Sequence, residues 1–548
     1  MNINEPVYLG RGFEWTPEHA QYAREIYARH RTTLHPPALY LRIREALGIA
    51  STRNIHGTPW LHGIGRHEER DLFMDADDLM NHTGIFGSTG AGKGRLLEHF
   101  MIQALNRPGE AVIVIDPKLD LGLRDRAYSE LVKQGRPEDF LYFAPAHPEQ
   151  SVRLNPMQNY AAGSQLASRT AATLPPSSKG DNFGAFVWKS LNNVVEGMLS
   201  AGEPPSLKAL RYLVEGNVED LFVRAFKKYI RKVEDRLSNW QQHAQEIQAN
   251  KPADRKRGTG LWRTYLDYYE EISSRYLKDE GLEALRAIMN HPAEHYAKMI
   301  VSITPQLTAL TTGDLGDMLS PDYDDPDDLR PIVNSKQIIN RGQVLFMALN
   351  SLSDKITASW LGSLVLSDLI ACAADRYNYE GGGANRVTLI VDETSEVANE
   401  EFIMALGKAR GAGFRVIFAT QTLADLSVRF GSKDNASQIL GNVNTQIFLR
   451  LRDAETKEYA AEKMATTRVT GVKHGHGGRT SMATSVDFER NMMTSFDAKD
   501  DQARVPPDIF EELPDLHGFA SLHDSRKIKF RIPYSITEKE LRYHEKPY

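Results

Sequence analysis

In the run Gly84-Ile-Phe-Gly-Ser-Thr-Gly-Ala-Gly-Lys93-Gly-Arg-Leu-Leu, glycines and one lysine separate a short apolar stretch from a helical pattern. Such a segment suits a backbone turn tight enough to aim its N–H groups at a polyphosphate, followed by a helix whose N-terminal dipole faces the same anion. Gly87, Gly90 and Gly92 supply the conformational freedom and Lys93 the cation; Ser88, Thr89, Ala91, Gly94 and Arg95 complete the segment expected around the phosphates. The strict motif places Ser or Thr after the lysine to ligate magnesium, whereas Gly94 stands there in this chain. The pattern implies a nucleoside triphosphate with Mg2+. A chance glycine-rich turn ahead of a helix is the competing explanation.

At 548 residues the chain exceeds the roughly 250–300 at which one hydrophobic core stops growing, so two or three domains are expected. A hydrophobic fraction of 41% and a charged fraction of 25% describe an ordinary globular protein, and no repeat or low-complexity tract interrupts it. The net charge of −6 gives no general attraction for nucleic acid, so any such binding must come from a local patch. The single cysteine, Cys372, lies in an apolar run and reads as a small buried hydrophobe; no disulfide framework exists, which fits a reducing cytoplasm. No run of about 18 consecutive apolar residues stands out as a membrane span, and the polar start does not read as a signal peptide.

Periodicity divides the chain. Residues 1–75 read as an N-terminal segment, helical from Thr16-Pro17-Glu18 and then irregular, with His56, His62 and His67 spaced unlike a metal site. From about residue 76 strands alternate with helices, and Ala111-Val-Ile-Val-Ile-Asp116 has the continuous apolar character of a parallel strand buried on both faces. Helical periods dominate residues 165–300, which read as an all-helical insertion. It carries a basic cluster with aromatics: Lys227, Lys228, Arg231, Lys232, Arg236 and Trp240, then Arg255, Lys256, Arg257, Trp262 and Arg263. A solvated helix face and a nucleic-acid-facing surface both explain it. Strand–helix alternation returns over residues 301–548, so 76–164 and 301–548 are expected to form one discontinuous α/β domain.

A phosphate loop needs carboxylates to hold magnesium and polarise the attacking water. Val387-Thr-Leu-Ile-Val-Asp392-Glu393 ends an apolar strand in two acids, expected at the carboxyl edge of the sheet where ligands of open α/β folds bind. Asp392 is the candidate metal ligand and Glu393 the candidate water-orienting base; an acid at this position also serves as a helix N-cap. Gln421 follows the strand Phe414–Thr420 and can hydrogen-bond a γ-phosphate or water. Arg410, ahead of Gly411-Ala-Gly413, is either a cation at a helix C-terminus or a finger reaching a neighbouring subunit. Gly471-Val-Lys-His-Gly-His-Gly-Gly-Arg479 reads as a glycine-rich surface loop, or as a loop near a pore or the nucleotide.

Together, Gly87-Ser-Thr-Gly-Ala-Gly-Lys-Gly94, Ile115-Asp-Pro-Lys-Leu-Asp120, Leu389-Ile-Val-Asp-Glu393, Gly407-Lys-Ala-Arg-Gly-Ala-Gly-Phe-Arg415, Ala419-Thr-Gln-Thr-Leu-Ala-Asp425 and Gly441-Asn-Val-Asn-Thr-Gln446 resemble the coupling ATPases of type IV secretion and conjugation. These form the TraD/TraG family, within the RecA-like DNA pumps that include the FtsK and HerA types. The resemblance covers the chain from about Leu79 to Leu522 and tolerates a Lys-Gly ending of the loop. It implies a RecA-like P-loop domain with an inserted all-alpha domain, ATP and Mg2+ as cofactors, and a homo-hexameric ring with ATP at subunit interfaces. Implied partners are DNA, single-stranded or double-stranded, the relaxase or relaxosome, and other type IV secretion components.

Members of that family carry N-terminal membrane helices, and none is read in this sequence. The expectation is therefore a cytoplasmic chain, held at the cytoplasmic face of the bacterial inner membrane through an anchor not present in it. Two other functions stay open: a soluble HerA- or FtsK-like DNA translocase in DNA processing or defence, and a recruitment platform that uses ATP as an assembly switch.

Overall fold

Ala111–Asp116 carries no polar side chain before its final acid, and such a run is satisfied in a sheet only when both faces are covered. In the computed structural model, which describes residues 5–28, 38–47, 57–58, 61, 64–174, 182–233, 237, 239–250, 260–273, 278–379, 385–477, 491–534 and 543, it is a strand buried along its whole length. The chain divides into two compact units. One comprises Met1–Gln103, Ile417–Leu426 and Leu440–Glu538; the other comprises Ala104–Val416, Ser427–Ile439 and Lys539–Tyr548.

With strands numbered along the whole chain, the first unit holds β1 (Val7–Glu14), β2 (Arg70–Met74) and β3 (Thr83–Phe86). The second holds β4 (Ala111–Asp116), β5 (Phe140–Phe143), β6 (Arg153–Leu154), β7 (Ile332–Val333), β8 (Val344–Ala348) and β9 (Val387–Val391). Strand β10 (Phe414–Thr420) passes from the second unit to the first after Val416. The first unit then adds β11 (Thr445–Phe448), β12 (Thr466–Gly477), β13 (Asn491–Ala503), β14 (His517–Ser521) and β15 (Lys527–Arg531).

The first unit's sheet runs β2-β1-β15-β14-β11-β3-β10. Strand β3 is parallel to β11 and to the end of β10, and the remaining pairs are antiparallel. The N-terminal segment, expected to be helical and then irregular, therefore contributes two strands, with the expected helix following as Pro17–Ala28. The alternation of β1 is broken by Gly10 and Gly12, and its partner β15 lies at the other end of the chain, where no local pattern reveals it. Both glycines pass too close for a side chain, since a Cβ at either would run into a backbone carbonyl of β15.

The segment expected to be a glycine-rich loop is instead strand as far as Gly477, its backbone paired antiparallel with β13 over Gly471–Gly477. Gly478 and Arg479 lie outside the described residues.

In the second unit β9-β4-β8-β5 is wholly parallel, with Ile115 paired to Val391 and Asp116 to Ala348, so the carboxyl ends of β9, β4 and β8 lie side by side. Helix Lys355–Tyr379 is the one helix among the described residues long and apolar enough to cross a membrane; its mean hydropathy reaches 1.6, and 67% of that stretch is buried within the protein. It also carries polar groups bonded inside the fold: Arg376 Nε donates to the Ala412 carbonyl at 3.1 Å, and Asp368 is fully buried.

Between β6 and β7, which pair Arg153 with Ile332 and Leu154 with Val333, the described residues from Gly163 to Leu319 contain helices and no strand. Helix Asn182–Ala201 runs through this region and packs on Gly163–Ala171, Glu219–Val233 and Glu280–Met289. Helix Gly163–Ala171 is tied to helix Lys355–Tyr379 by a buried ion pair, Arg169 Nη1 to Asp368 Oδ1 at 2.9 Å. Of the basic cluster, Lys227, Arg231 and Lys232 are exposed on the outer face of Glu219–Val233, whose inner face buries Phe222, Phe226 and Ile230. Trp240 is half-buried, its ring 5.8 Å from Phe226 and 5.7 Å from Tyr265. Arg236, Arg255, Lys256 and Arg257 lie outside the described residues.

Candidate functional site

The phosphate-loop segment lies wholly in the first unit. Strand β3 is buried at all four positions, residues 87–92 turn, and helix Lys93–Leu105 follows. Gly90 and Gly92 hold left-handed backbone at φ 78° and 111°, which the motif's glycines exist to permit. Three neighbours hold the loop from outside: the Gly87 N–H donates to Thr420 O at 3.3 Å, the Ser88 N–H to Arg450 O at 2.8 Å, and the Leu516 N–H to Ala91 O at 3.2 Å. The chain of Lys93 folds back over the turn, its Nζ donating to Gly87 O at 2.6 Å, with 8% of the residue exposed.

Gln421 is brought to the same loop, its Oε1 accepting from Thr89 Oγ1 at 3.3 Å. Arg95 points along the helix surface and pairs with Glu98 at 2.6 Å. A Cβ at Gly94 would meet nothing within 4 Å, so the missing hydroxyl of the strict motif is not a steric necessity. The Ser88 hydroxyl is buried with no protein hydrogen-bond partner. A buried polar atom in that condition costs about 1–3 kcal/mol, and a polar ligand in the loop would satisfy it.

The acids lie in the second unit. Strand β9 delivers Asp392 half-buried and Glu393 at 4% exposure, with Glu393 in left-handed backbone at φ 39° just ahead of the short helix Thr394–Val397, which its side chain does not cap. The Asp392 N–H donates to Ile115 O at 3.1 Å, and Asp392 Oδ1 accepts the Glu393 N–H at 2.9 Å. On the adjacent strand, Asp116 Oδ1 accepts the Lys118 N–H at 2.9 Å and Oδ2 accepts the Asp120 N–H, while Asp120 caps the helix Leu121–Lys133.

Burial pushes the Asp116 carboxyl up to about 6; Asp392 and Asp120 add to the rise and the two amides oppose it. Lys118 reaches across from this turn, with its Nζ 2.5 Å from Glu393 Oε1. Burial works against the Lys118 charge, but the Glu393 hydrogen bond and charge, helped by Asp392 and Glu396, more than offset it, leaving its pKa above the ordinary value.

No group of three or more His, Cys, Asp or Glu able to hold a metal occurs among the described residues. His67 is an exposed neighbour of Glu68, and His56 and His62 lie outside the described residues. Arg410 sits in the 3-10 turn Ala409–Ala412 that continues the helix Glu400–Lys408, exposed at the rim of a cavity of about 1000 Å3 lined also by Tyr377, Met404 and Lys408.

Three residues without an expected role emerge: Lys118, Arg450 and Leu516. Lys118 was visible inside the Ile115–Asp120 motif; Arg450 and Leu516 serve the loop through their main chains and give no local signal.

Residues 62–171 match the family model of the helicase HerA central domain, and residues 386–502 match that of the TraM recognition site of TraD and TraG. The type 4 coupling protein DotL of Legionella pneumophila subsp. pneumophila is 24% identical over 499 residues, covering 85% of this chain. The chain spans 58% of the length of that curated relative.

Among solved structures, the unbound bacterial conjugative coupling protein TrwBdeltaN70 aligns with a TM-score of 0.53 at 15% identity, over 84% of this chain and 87% of that one. The plasmid coupling protein TrwB in complex with ADP and Mg2+ aligns at 0.52 and 15%, over 86% and 89%. These likenesses establish the RecA-like α/β fold with its helical region. Over these two segments the chain is similar to TraD and TraG and to the helicase HerA, and over most of its length it is similar to the type 4 coupling protein DotL.

Proposed function

We propose that this chain hydrolyses ATP to recruit DNA, or a relaxase–DNA conjugate, and drive it into a type IV secretion or conjugation channel. The observation that carries the reading is the phosphate loop itself: a turn held open at Gly90 and Gly92, with the Lys93 ammonium folded over it and the buried Ser88 hydroxyl left for a ligand.

In this reading the loop amides and Lys93 bind the β- and γ-phosphates, Gln421 senses the γ-phosphate through its place beside Thr89, and Glu393 orients the attacking water. Asp392 would hold Mg2+, which supplies charge neutralisation between the phosphates. Arg410 would act on nucleotide bound by a neighbouring copy in a homo-hexamer. The exposure of Arg410 supports that role, and the match of residues 386–502 to a TraM recognition site supports a partner from the DNA-processing complex. The similarity to a coupling protein supports a place at the cytoplasmic face of the inner membrane.

The match to the HerA central domain favours a second reading, a DNA pump that works without a secretion channel. The test is ATP turnover against protein concentration, with and without single-stranded DNA, in the wild type, Lys93→Ala and Glu393→Gln. Turnover that climbs with concentration and DNA and vanishes in both variants upholds a ring motor. Unchanged turnover in both variants overturns the assignment, and turnover indifferent to DNA points to an ATP-switched platform. Binding of a relaxase by the helical region separates the secretion reading from the HerA-like one.

A further inference from the structure

We infer that Lys118 is a positioning residue for Glu393: its ammonium, carried on a turn that Asp116 ties down, fixes the carboxylate in the orientation that water activation requires. The inference rests on the reading of Glu393 as the water-orienting base.

Two adjacent parallel strands end here, and both continue in unfavourable backbone. Leu119 stands at φ 64° and Glu393 at φ 39°, left-handed values that non-glycine residues avoid unless their surroundings enforce them. The β4 side is enforced heavily: both Asp116 oxygens accept backbone N–H groups, Asp116 O accepts the Leu349 N–H at 2.9 Å, and Pro117 O accepts the Ser351 N–H at 2.7 Å. On the β9 side the backbone is held by Glu393 N–H to Asp392 Oδ1 and by Glu396 N–H to Glu393 O at 2.8 Å. The Glu393 carboxylate is joined to the rigid β4 turn by Lys118, at 2.5 Å.

The exposures are unequal, 5% for the Glu393 side chain and 41% for that of Lys118. A carboxylate so buried needs its charge balanced, whereas an ammonium so exposed could be solvated without a partner. The pair therefore serves the acid more than the lysine. A misplacement of about 1 Å in a reacting group can cost on the order of a hundredfold in rate, so a fixed cation beside the base bears on the chemical step and not on nucleotide capture.

The test uses the purified full chain with MgATP and DNA, and three variants. Lys118→Met keeps the apolar stem and removes the charge; Lys118→Arg restores a charge on a different head; Glu393→Gln tests the base itself. Expected are a fall of about tenfold or more in kcat for K118M with KM for ATP within about threefold of wild type, and partial recovery in K118R. Loss of turnover in E393Q with an unchanged or raised kcat in K118M overturns the role of Lys118 alone. Full turnover in E393Q overturns the reading of Glu393 and the inference with it. Equal collapse of kcat and nucleotide affinity in both lysine variants, with a lowered thermal midpoint, makes the pair a structural one and also overturns it.

Discussion

Gly92 and Leu516 contend for one small volume: a Cβ on Gly92 would stand 2.8 Å from Leu516 Cδ2, and both residues hold left-handed backbone, at φ 111° and 61°. Gly92→Ala therefore meets two obstacles, contact and conformation, and is expected to cost about 2–3 kcal/mol and to abolish nucleotide binding. Leu516→Ala removes the contact but not the strain, so the double variant should recover less than half of the lost stability. Urea unfolding and nucleotide titration of the three proteins check this.

Gly94 presents the opposite case, being helical, unstrained and open on its Cβ side. Gly94→Thr should fold and gain a few tenths of a kcal/mol from helix propensity, roughly what separates threonine from glycine. It should also lower the Mg2+ concentration for half-maximal hydrolysis, because a hydroxyl returns to where the strict motif has one. An unchanged magnesium requirement would place the ion away from this position.

Asp116 links the second unit to pH. Its folded carboxyl titrates at about 6 because burial disfavours the charge, against about 3.9 for an exposed aspartate. The folded chain thus binds the proton more tightly than the unfolded chain, so this contribution to stability is whole below pH ~4 and is lost as pH rises through ~6. Asp116→Asn places an amide NH2 against one of the two backbone donors and should be less stable than wild type at pH 4. That deficit should shrink by about 2 kcal/mol by pH 7, since only the wild type carries the penalty of ionising. A deficit constant across the range would refute the assignment.

Arg169 and Asp368 are both buried to within 1% of full enclosure, 2.9 Å apart, where the helical region begins. Removing one partner strands a charge, so Asp368→Leu should destabilise the chain by about 3–5 kcal/mol. Replacing both with apolar residues should cost less than either single change. Chemical denaturation of the two single variants and the double variant measures the difference.

The parts of the fold carried by continuous apolar runs were legible in the sequence. Ala111–Asp116, Val344–Ala348 and Phe414–Thr420 announce buried parallel strands because each must satisfy two covered faces on its own. The phosphate loop was legible for a similar reason, since its glycines answer a local backbone demand. Strand β1 was not, because the reason Gly10 and Gly12 are tolerated lies on β15. Arg450 and Leu516 were hidden more deeply: they serve the loop through a carbonyl and an N–H that every residue type possesses, so no side-chain pattern could mark them. Lys118 fell between, inside a recognisable motif but without a role until its distance to Glu393 was known.

The dependence of the phosphate loop on β14 and β15 gives this chain a temporal order. Synthesis delivers Lys93 long before the Leu516 amide that steadies Ala91, and β14 and β15 follow Leu516. A half-synthesised chain accordingly has the lysine but not the N–H that Ala91 O accepts in the folded unit. Loss of the chain from Leu516 onward would remove that N–H while leaving every residue of the loop's motif in place.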